Sequence, residues 1–368
     1  MNNNNFVDWC VLGDCYHAEC HNCFPVKNCN KNHEECILNG ECHEIFRPTE
    51  LKILVTGCAG FIGSHVSEFL LKRGNIVMGI DNLNDYYDVN IKKKNINLLK
   101  KYKNFTFRQE DICDTKIISE WKPHKICHLA SMAGVRYSIE NPDIYQKVNI
   151  GGFINILEEA RKNNVHHLVY ASSSSVYGLN KKVPFSESDP IKTCNSPYAC
   201  SKMAMELYGK TYYQLYGLQN IGLRFFTVYG PRGRPDMAPY KFINAILNQK
   251  EFIKYGLGFS SRDYTYIDDI VSGVVASIDN KKNIKCKVYN LGNSSPVTLN
   301  KFIELCEKVT QKKAIYKEIE NQLGDVPHTF ADISEAKKDL DYDPKTKLED
   351  GLRILANSLK IKESIFWV

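Results

Sequence analysis

The chain has 368 residues, 43% of them hydrophobic and 24% charged, enough apolar material for a large core and too much for a disordered or fibrous protein. At about 150 residues per domain the length predicts two or three domains, or one large α/β unit. No apolar run approaches the ~18 residues a membrane span needs, and Met1-Asn2-Asn3-Asn4-Asn5 is not the basic start of a secretory leader, so a soluble, cytoplasmic protein with no membrane partner is expected.

The net charge of +6 is unevenly spread: residues 1–48 hold three basic and seven acidic side chains, which leaves the head at −4 and the remainder at +10. A basic body suits an anionic partner, either a nucleotide ligand or nucleic acid. Without a basic stripe interleaved with aromatics, a lysine-rich surface accounts for the excess and no nucleic-acid partner is expected.

Cysteine marks the same division, because seven of the 14 fall between Cys10 and Cys42. In a chain read as cytoplasmic this cluster favours metal over disulfides. Cys20-His21-Asn22-Cys23 has a zinc-like gap, and His17, His33 or His43 could complete a shell. The other spacings fit no zinc module, so a flexible or redox-paired appendage stays open and no metal is assigned. Residues 1–48 are thus a Cys-rich extension of unknown role.

From Leu51 the pattern becomes strand, helix, strand. Leu51–Gly57 is a short apolar run suited to a buried strand, Phe61–Arg73 repeats apolar residues at helical spacing, and Ile76–Ile80 is a second strand. Further strands are expected at 105–107, 126–130, 167–172 and 221–228, with helices between them. This alternation predicts an α/β fold, a Rossmann-type doubly wound parallel sheet spanning residues 49–230. After Pro231 the rhythm weakens, with helices expected near 241–248, 267–278 and 300–311, the last opened by the segment Val297-Thr298-Leu299. Residues 231–368 are therefore expected to form mainly a smaller C-terminal α/β lobe for substrate, some of its segments returning to the first domain.

Thr56-Gly57-Cys58-Ala59-Gly60-Phe61-Ile62-Gly63 joins the first strand to the first helix. Glycines there let the backbone turn tightly and approach a pyrophosphate, whose charge sits at the positive helix end. Eighteen residues past Gly63, Asp81 ends the second strand, where its carboxylate binds ribose hydroxyls and repels a 2′-phosphate. NAD is the expected cofactor, held by Gly57, Gly60, Phe61, Ile62, Gly63, Asp81 and Asn82. Asp111 and Ile112, past the third strand, are placed for the adenine, a capping role for Asp111 being the alternative; Leu129 and Ala130 end the fourth strand beside the same crevice. Cys58, with no His or Lys beside it, receives no role.

Tyr198 and Lys202 stand at i and i+4 after the helix start Ser196-Pro197, so they share one helix face. An ammonium there lowers the phenol's pKa and bonds a cofactor ribose, which makes Tyr198 a candidate base. Ser173, Ser174 and Ser175 follow the fifth strand, at the carboxyl edge where parallel sheets open onto ligands, and their hydroxyls can bond a substrate alcohol.

These motifs, with Asp81-Asn82-Leu83-Asn84-Asp85-Tyr86-Tyr87-Asp88, Ala133-Gly134-Val135-Arg136-Tyr137-Ser138, the run from Phe225 to Ala238, Arg262-Asp263-Tyr264-Thr265-Tyr266-Ile267-Asp268-Asp269 and Gly324-Asp325-Val326-Pro327, make residues 51–352 resemble the extended short-chain dehydrogenase/reductases. Within them the runs are most similar to UDP-glucuronate 4-epimerases. The resemblance implies an NAD-dependent 4-epimerase acting on a UDP-sugar, UDP-glucuronate foremost and UDP-glucose or UDP-N-acetylglucosamine as alternatives. It implies Tyr198 as base at the C4 hydroxyl, Ser173 sharing that bond and Lys202 holding both phenolate and nicotinamide ribose. It also implies that Arg262 neutralises the diphosphate, an ion pair with Asp263 being the alternative, and that Thr227 and Arg234 hold the C5 carboxylate. Arg136, Ser174, Ser175 and Asp325 join the substrate set by the same resemblance, and a homodimer built on a helix bundle is implied. Dehydratase and decarboxylase relatives carry an acid in the serine triplet; Ser173-Ser174-Ser175 has none, which disfavours those reactions. A non-catalytic NAD-binding interaction module would need none of Ser173, Tyr198 and Lys202.

Overall fold

The structure is a computed structural model describing residues 51–320 and 326–364, with side chains through residue 360. The Cys-rich head, with Cys20 and Cys23, and Asp325 lie outside the described residues. Strands Lys52–Thr56 (β1), Ile76–Asp81 (β2), Phe105–Gln109 (β3), Lys125–His128 (β4), His167–Ser173 (β5) and Gln219–Phe225 (β6) are followed by Thr227–Tyr229 (β7), Phe252–Tyr255 (β8), Ser261–Tyr266 (β9) and Cys286–Leu291 (β10). Pro296–Thr298 (β11), Tyr316–Ile319 (β12) and His328–Thr329 (β13) complete the strands.

The main sheet runs β10-β6-β5-β4-β1-β2-β3, and every pairing in it is parallel. A central parallel strand is covered on both faces, so it reads as continuous apolar sequence; Ile53, Leu54 and Val55 of β1 are accordingly all buried. Chain order reverses between β1 and β4, which leaves a crevice at the carboxyl ends of those strands. β10, which follows Pro231 in the chain, forms the edge of this sheet beside β6.

The helices that matter below are Phe61–Lys72 (α1), Val89–Leu99 (α2), Phe153–Lys162 (α3), Pro197–Tyr216 (α4), Ala238–Leu247 (α5), Ile267–Asp279 (α6) and Leu299–Thr310 (α7). α4 starts where its sequence predicts: the Ser196 hydroxyl accepts the Ala199 N–H, Pro197 occupies the first turn, and Gly217 ends the helix at φ 70°. The Thr298 hydroxyl caps α7 in the same way, accepting the Lys301 N–H at 3.3 Å.

The expected strand at 221–228 is two strands. β6 stays in the main sheet, Phe226 donates its N–H to Leu291 O at 3.1 Å, and β7 leaves to pair with β9 beside β11 and β13 in a smaller sheet. Periodicity cannot distinguish one long buried strand from two short ones that change sheets, since both read as apolar runs. That change of sheet carries Thr227 out of the main sheet and onto the cavity between the two sheets.

Candidate active site

The cofactor end is built from backbone. Gly57 sits at φ +71°, and a Cβ there would lie 2.7 Å from Ala130 N; a Cβ on Gly63 would lie 2.1 Å from Gly57 O. Neither position accepts a side chain, which lets the loop fold flat against α1 and the end of β4. α1 opens at Gly60 with no acidic residue in its first turn, so its free N–H groups and positive end face the crevice without competition. At the end of β2, Asp81 is buried and accepts the Leu83 N–H at 2.9 Å. Asn82 Nδ2 donates to Asp111 Oδ2 at 2.9 Å, and Asp111 Oδ1 accepts the Cys113 N–H at 2.9 Å. Asp111 thus holds the turn after β3 and braces Asn82 without capping a helix, while Ile112 faces the cleft. A nucleotide's pyrophosphate and adenosine ribose fit this arrangement of free amides, flat glycines and a buried strand-end carboxylate.

A second end of the cleft is built on α4. Tyr198 lies against Tyr145, ring centroids 6.0 Å apart. Burial lifts its phenol above the ordinary value, while a hydrogen bond with Ser173 and the positive charge of Arg234 pull the other way. Lys202 is buried, donates to Ala171 O at 2.8 Å, and has its amine pulled down to about 7 by burial, against the opposing charge of Glu206. Its Nζ is 5.9 Å from the Tyr198 ring. Arg234 is thus a second cation whose charge reaches the phenol, in addition to the Lys202 amine on the same helix face. One turn on, Glu206 takes two hydrogen bonds from Arg224, at 2.9 and 2.7 Å, and one from Ser172 at 2.5 Å. This buried network ties α4 to β5 and β6, fixing the helix that carries Tyr198 relative to the strand that carries Ser173.

The third end, where a sugar is expected, is built from side chains. Ser173 Oγ accepts the Ser175 N–H at 3.1 Å, and the buried Ser175 hydroxyl has no partner among the described residues. Arg232, at φ +60°, anchors the loop after β7 to α1: its Nη2 reaches Glu68 at 2.7 Å and its Nε reaches His65 at 3.0 Å. Burial, with the Arg232 charge, drives the His65 imidazole down to about 3, so it stays neutral and accepts. The anchored loop aims Arg234 into the cleft, where its Nε and Nη2 meet Asp236 at 3.0 and 2.5 Å. Arg262 Nη1 donates to Ser261 O at 3.0 Å and Pro327 O at 3.3 Å. The ion pair with Asp263 does not form, because Asp263 is fully buried and accepts the N–H groups of Asn293, Ser294 and Ala331. Arg136 lies over Tyr255 of β8, 4.8 Å from the ring centroid.

One cavity of about 1080 Å³ joins the three ends. Gly57, Gly60, Phe61, Ile62, Gly63, Asp81, Asn82, Ile112, Leu129 and Ala130 line one part, and Arg136, Ser173, Ser174, Ser175, Tyr198, Lys202, Thr227, Arg234 and Arg262 line the rest. Asp111 is the one described member of the expected set that does not line it. The sequence reading missed Lys92, buried beside the cavity with Nζ 3.6 Å from Asp81 Oδ1 and 3.0 Å from Asn84 Oδ1. Its signal was hidden in the run Lys92-Lys93-Lys94, where only position within the helix separates a buried lysine from exposed ones. Tyr86 and Asp236 were also missed, although both stand inside runs already singled out.

A family model described as GDP-mannose 4,6 dehydratase matches residues 54–355. A UDP-glucuronate 4-epimerase of Thermodesulfobacterium geofontis is 45% identical over 309 residues, covering 83% of this chain and 94% of its own. A Bacillus cereus UDP-glucuronic acid 4-epimerase solved with UDP-glucuronic acid and NAD is similar at a TM-score of 0.81 and 35% identity, over 85% of this chain and 100% of that one. A Thermotoga maritima UDP-glucose 4-epimerase solved with UDP-glucose is similar at 0.77 and 32%, over 85% and 100%. With this coverage and the glycine loop, Asp81, Tyr198 and Lys202 on a single cleft, the chain belongs to the GDP-mannose 4,6-dehydratase-type family of extended short-chain dehydrogenase/reductases.

Proposed function

We propose that this protein is an NAD-dependent isomerase that interconverts UDP-glucuronate and UDP-galacturonate at C4. The observation that carries the choice of sugar is Arg234, a guanidinium that lines the same cavity as Tyr198 and Ser173. A uronate places its C5 carboxylate next to the carbon being oxidised, and such a site supplies the matching cation.

Bound NAD supplies the hydride acceptor and later the hydride donor. The chain's own residues handle the rest. Tyr198 takes the proton from the C4 hydroxyl, Ser173 shares that hydrogen bond, and Lys202, with the charge of Arg234, favours the phenolate. Lys202 holds the cofactor ribose from the floor of the cleft. Arg262 and Arg136 stand toward the smaller lobe, where a diphosphate needs positive charge and anchors a sugar that must turn over. Arg234 and Thr227 hold the carboxylate. A 4-keto uronate is a β-keto acid, which loses carbon dioxide when the carboxylate bond aligns with the carbonyl π system, and a two-pronged guanidinium keeps it out of that alignment.

Ser173, Ser174 and Ser175 offer no carboxylate at the positions where dehydratase relatives carry an acid, which supports epimerisation over loss of water. UDP-glucose or UDP-N-acetylglucosamine is the second reading, supported by the similarity to the Thermotoga enzyme; neither sugar gives Arg234 a charged partner. The non-catalytic alternative leaves Tyr198, Lys202 and Ser173 gathered on one cleft without a purpose. A homodimer in the cytoplasm completes the proposal: α4 leaves Leu207, Tyr208, Leu215 and Tyr216 exposed, an apolar face suited to a helix-bundle partner. No helix among the described residues is long and apolar enough to cross a membrane. NMR of the purified protein with UDP-glucuronate and with UDP-glucose tests the reading, which requires the C4-inverted uronate to appear and which fails if only the neutral sugar is converted.

A further inference from the structure

Arg234 commits one edge of its guanidinium inside the chain: Nε and Nη2 both donate to Asp236, which leaves the edge bearing Nη1 for a ligand. Tyr86 locks this pair: its hydroxyl donates to Asp236 Oδ2 at 3.4 Å, its ring lies 5.5 Å from the Arg234 Cζ, and a Cβ on Gly134 would come within 2.7 Å of its oxygen. All three residues line the cavity, with the side chain of Arg234 19% and that of Asp236 35% exposed. Burial pushes the Asp236 carboxyl up, yet the hydrogen bond and charge of Arg234 win and keep it ionised.

We propose that Asp236 is a positioning residue that sets the strength of the carboxylate grip. It holds Arg234 by the Nε–Nη2 edge and offsets part of its charge, so that one weakened edge faces the C5 carboxylate. The inference rests on the uronate reading. Its logic comes from the reaction: the 4-keto ring must present both faces to the same side of the cleft, and the carboxylate moves with the ring. A bare, half-buried guanidinium would hold the starting pose more tightly without helping the transition state, and binding of that kind lowers KM and turnover together. A guanidinium already paired to Asp236 orients the carboxylate by geometry while its Coulomb pull is reduced.

The test is Asp236→Asn in the NAD-loaded enzyme, a same-size change that keeps one acceptor for Arg234 and removes the charge. With UDP-glucuronate, KM and kcat should both fall, by about three- to tenfold, as expected for unmasking a partly exposed charge. The fall in KM for UDP-glucuronate should be at least about threefold larger than any change for UDP-glucose, measured as an inhibition constant if that sugar is not converted. A purely structural Asp236 would damage both sugars alike or raise KM for the uronate, and either result overturns the proposal. If Asp236→Asn fails to fold, Tyr86→Phe, which removes only the hydrogen bond to Oδ2, should move both constants in the same direction by a smaller factor; a rise in KM overturns the proposal. A parent enzyme that ignores UDP-glucuronate overturns the substrate reading itself, before any variant is made.

Discussion

The two ends of the cavity are made in opposite ways. At the cofactor end, eight consecutive residues, Thr56 to Gly63, make a surface of backbone amides, and the tolerances are set by absent side chains: 2.1 Å from a Gly63 Cβ to Gly57 O leaves no room for a methyl. At the sugar end, Ser173, Tyr198, Thr227, Arg234 and Arg262 come from four separate segments, and their geometry depends on a buried Arg224–Glu206 pair and on the anchoring of Arg232 to His65 and Glu68. A contiguous loop fixes its own shape by sterics. A dispersed site holds its shape only through the tertiary contacts behind it, which leaves it free to change ligand while the cofactor end stays the same.

Each end breaks differently. The largest effect is expected for Tyr198→Phe, which removes the base and should cut turnover by about 10²- to 10⁴-fold while the purified protein still carries NAD, read from the absorbance released on denaturation. A phenylalanine variant with parental turnover sinks the proposed base. Gly63→Ala should do the reverse: overpacking the loop costs about 1–3 kcal/mol of stability and empties the cofactor site, with Tyr198 untouched. Denaturant unfolding and NAD content check it together, and normal values for both would mean that the loop relaxes around a methyl.

Arg234→Lys tests the sugar end alone. Replacing a two-pronged planar cation by a point charge should lower kcat/KM for UDP-glucuronate about tenfold, or about 1.4 kcal/mol, and release some decarboxylated 4-keto pentose, visible by mass spectrometry. Equal treatment of the uronate by variant and parent removes the carboxylate assignment.

Lys202 is tested through stability rather than turnover. Burial pulls its amine from 10.5 to about 7, so between those values the unfolded chain binds a proton that the folded chain does not. Stability contributed this way rises with pH from about 7 upward, by at most about 1.4 kcal/mol per unit. Unfolding between about pH 7 and 9 should show the slope in the parent and a flatter one in Lys202→Met. Parallel slopes would mean that the amine is solvated in the fold.

The glycine loop, Asp81 and the Ser196-Pro197 helix start were readable from the chain because each acts through neighbours a few residues away: a tight turn, a strand end, a cap. The alternation of apolar runs with amphipathic stretches likewise dictated a parallel sheet, since strands covered on both faces must be apolar throughout. Tertiary structure decided the rest. It broke 221–228 at Phe226 and sent Thr227 to a second sheet, which no periodicity records because both halves are apolar. It buried Lys92 out of a run of three lysines, brought Arg234 onto the same cavity as Tyr198, and paired Arg234 with Asp236 under Tyr86, 150 residues away in the chain. Charges act through space across a low-dielectric cleft, and distance in space between segments is the one quantity that local sequence does not carry.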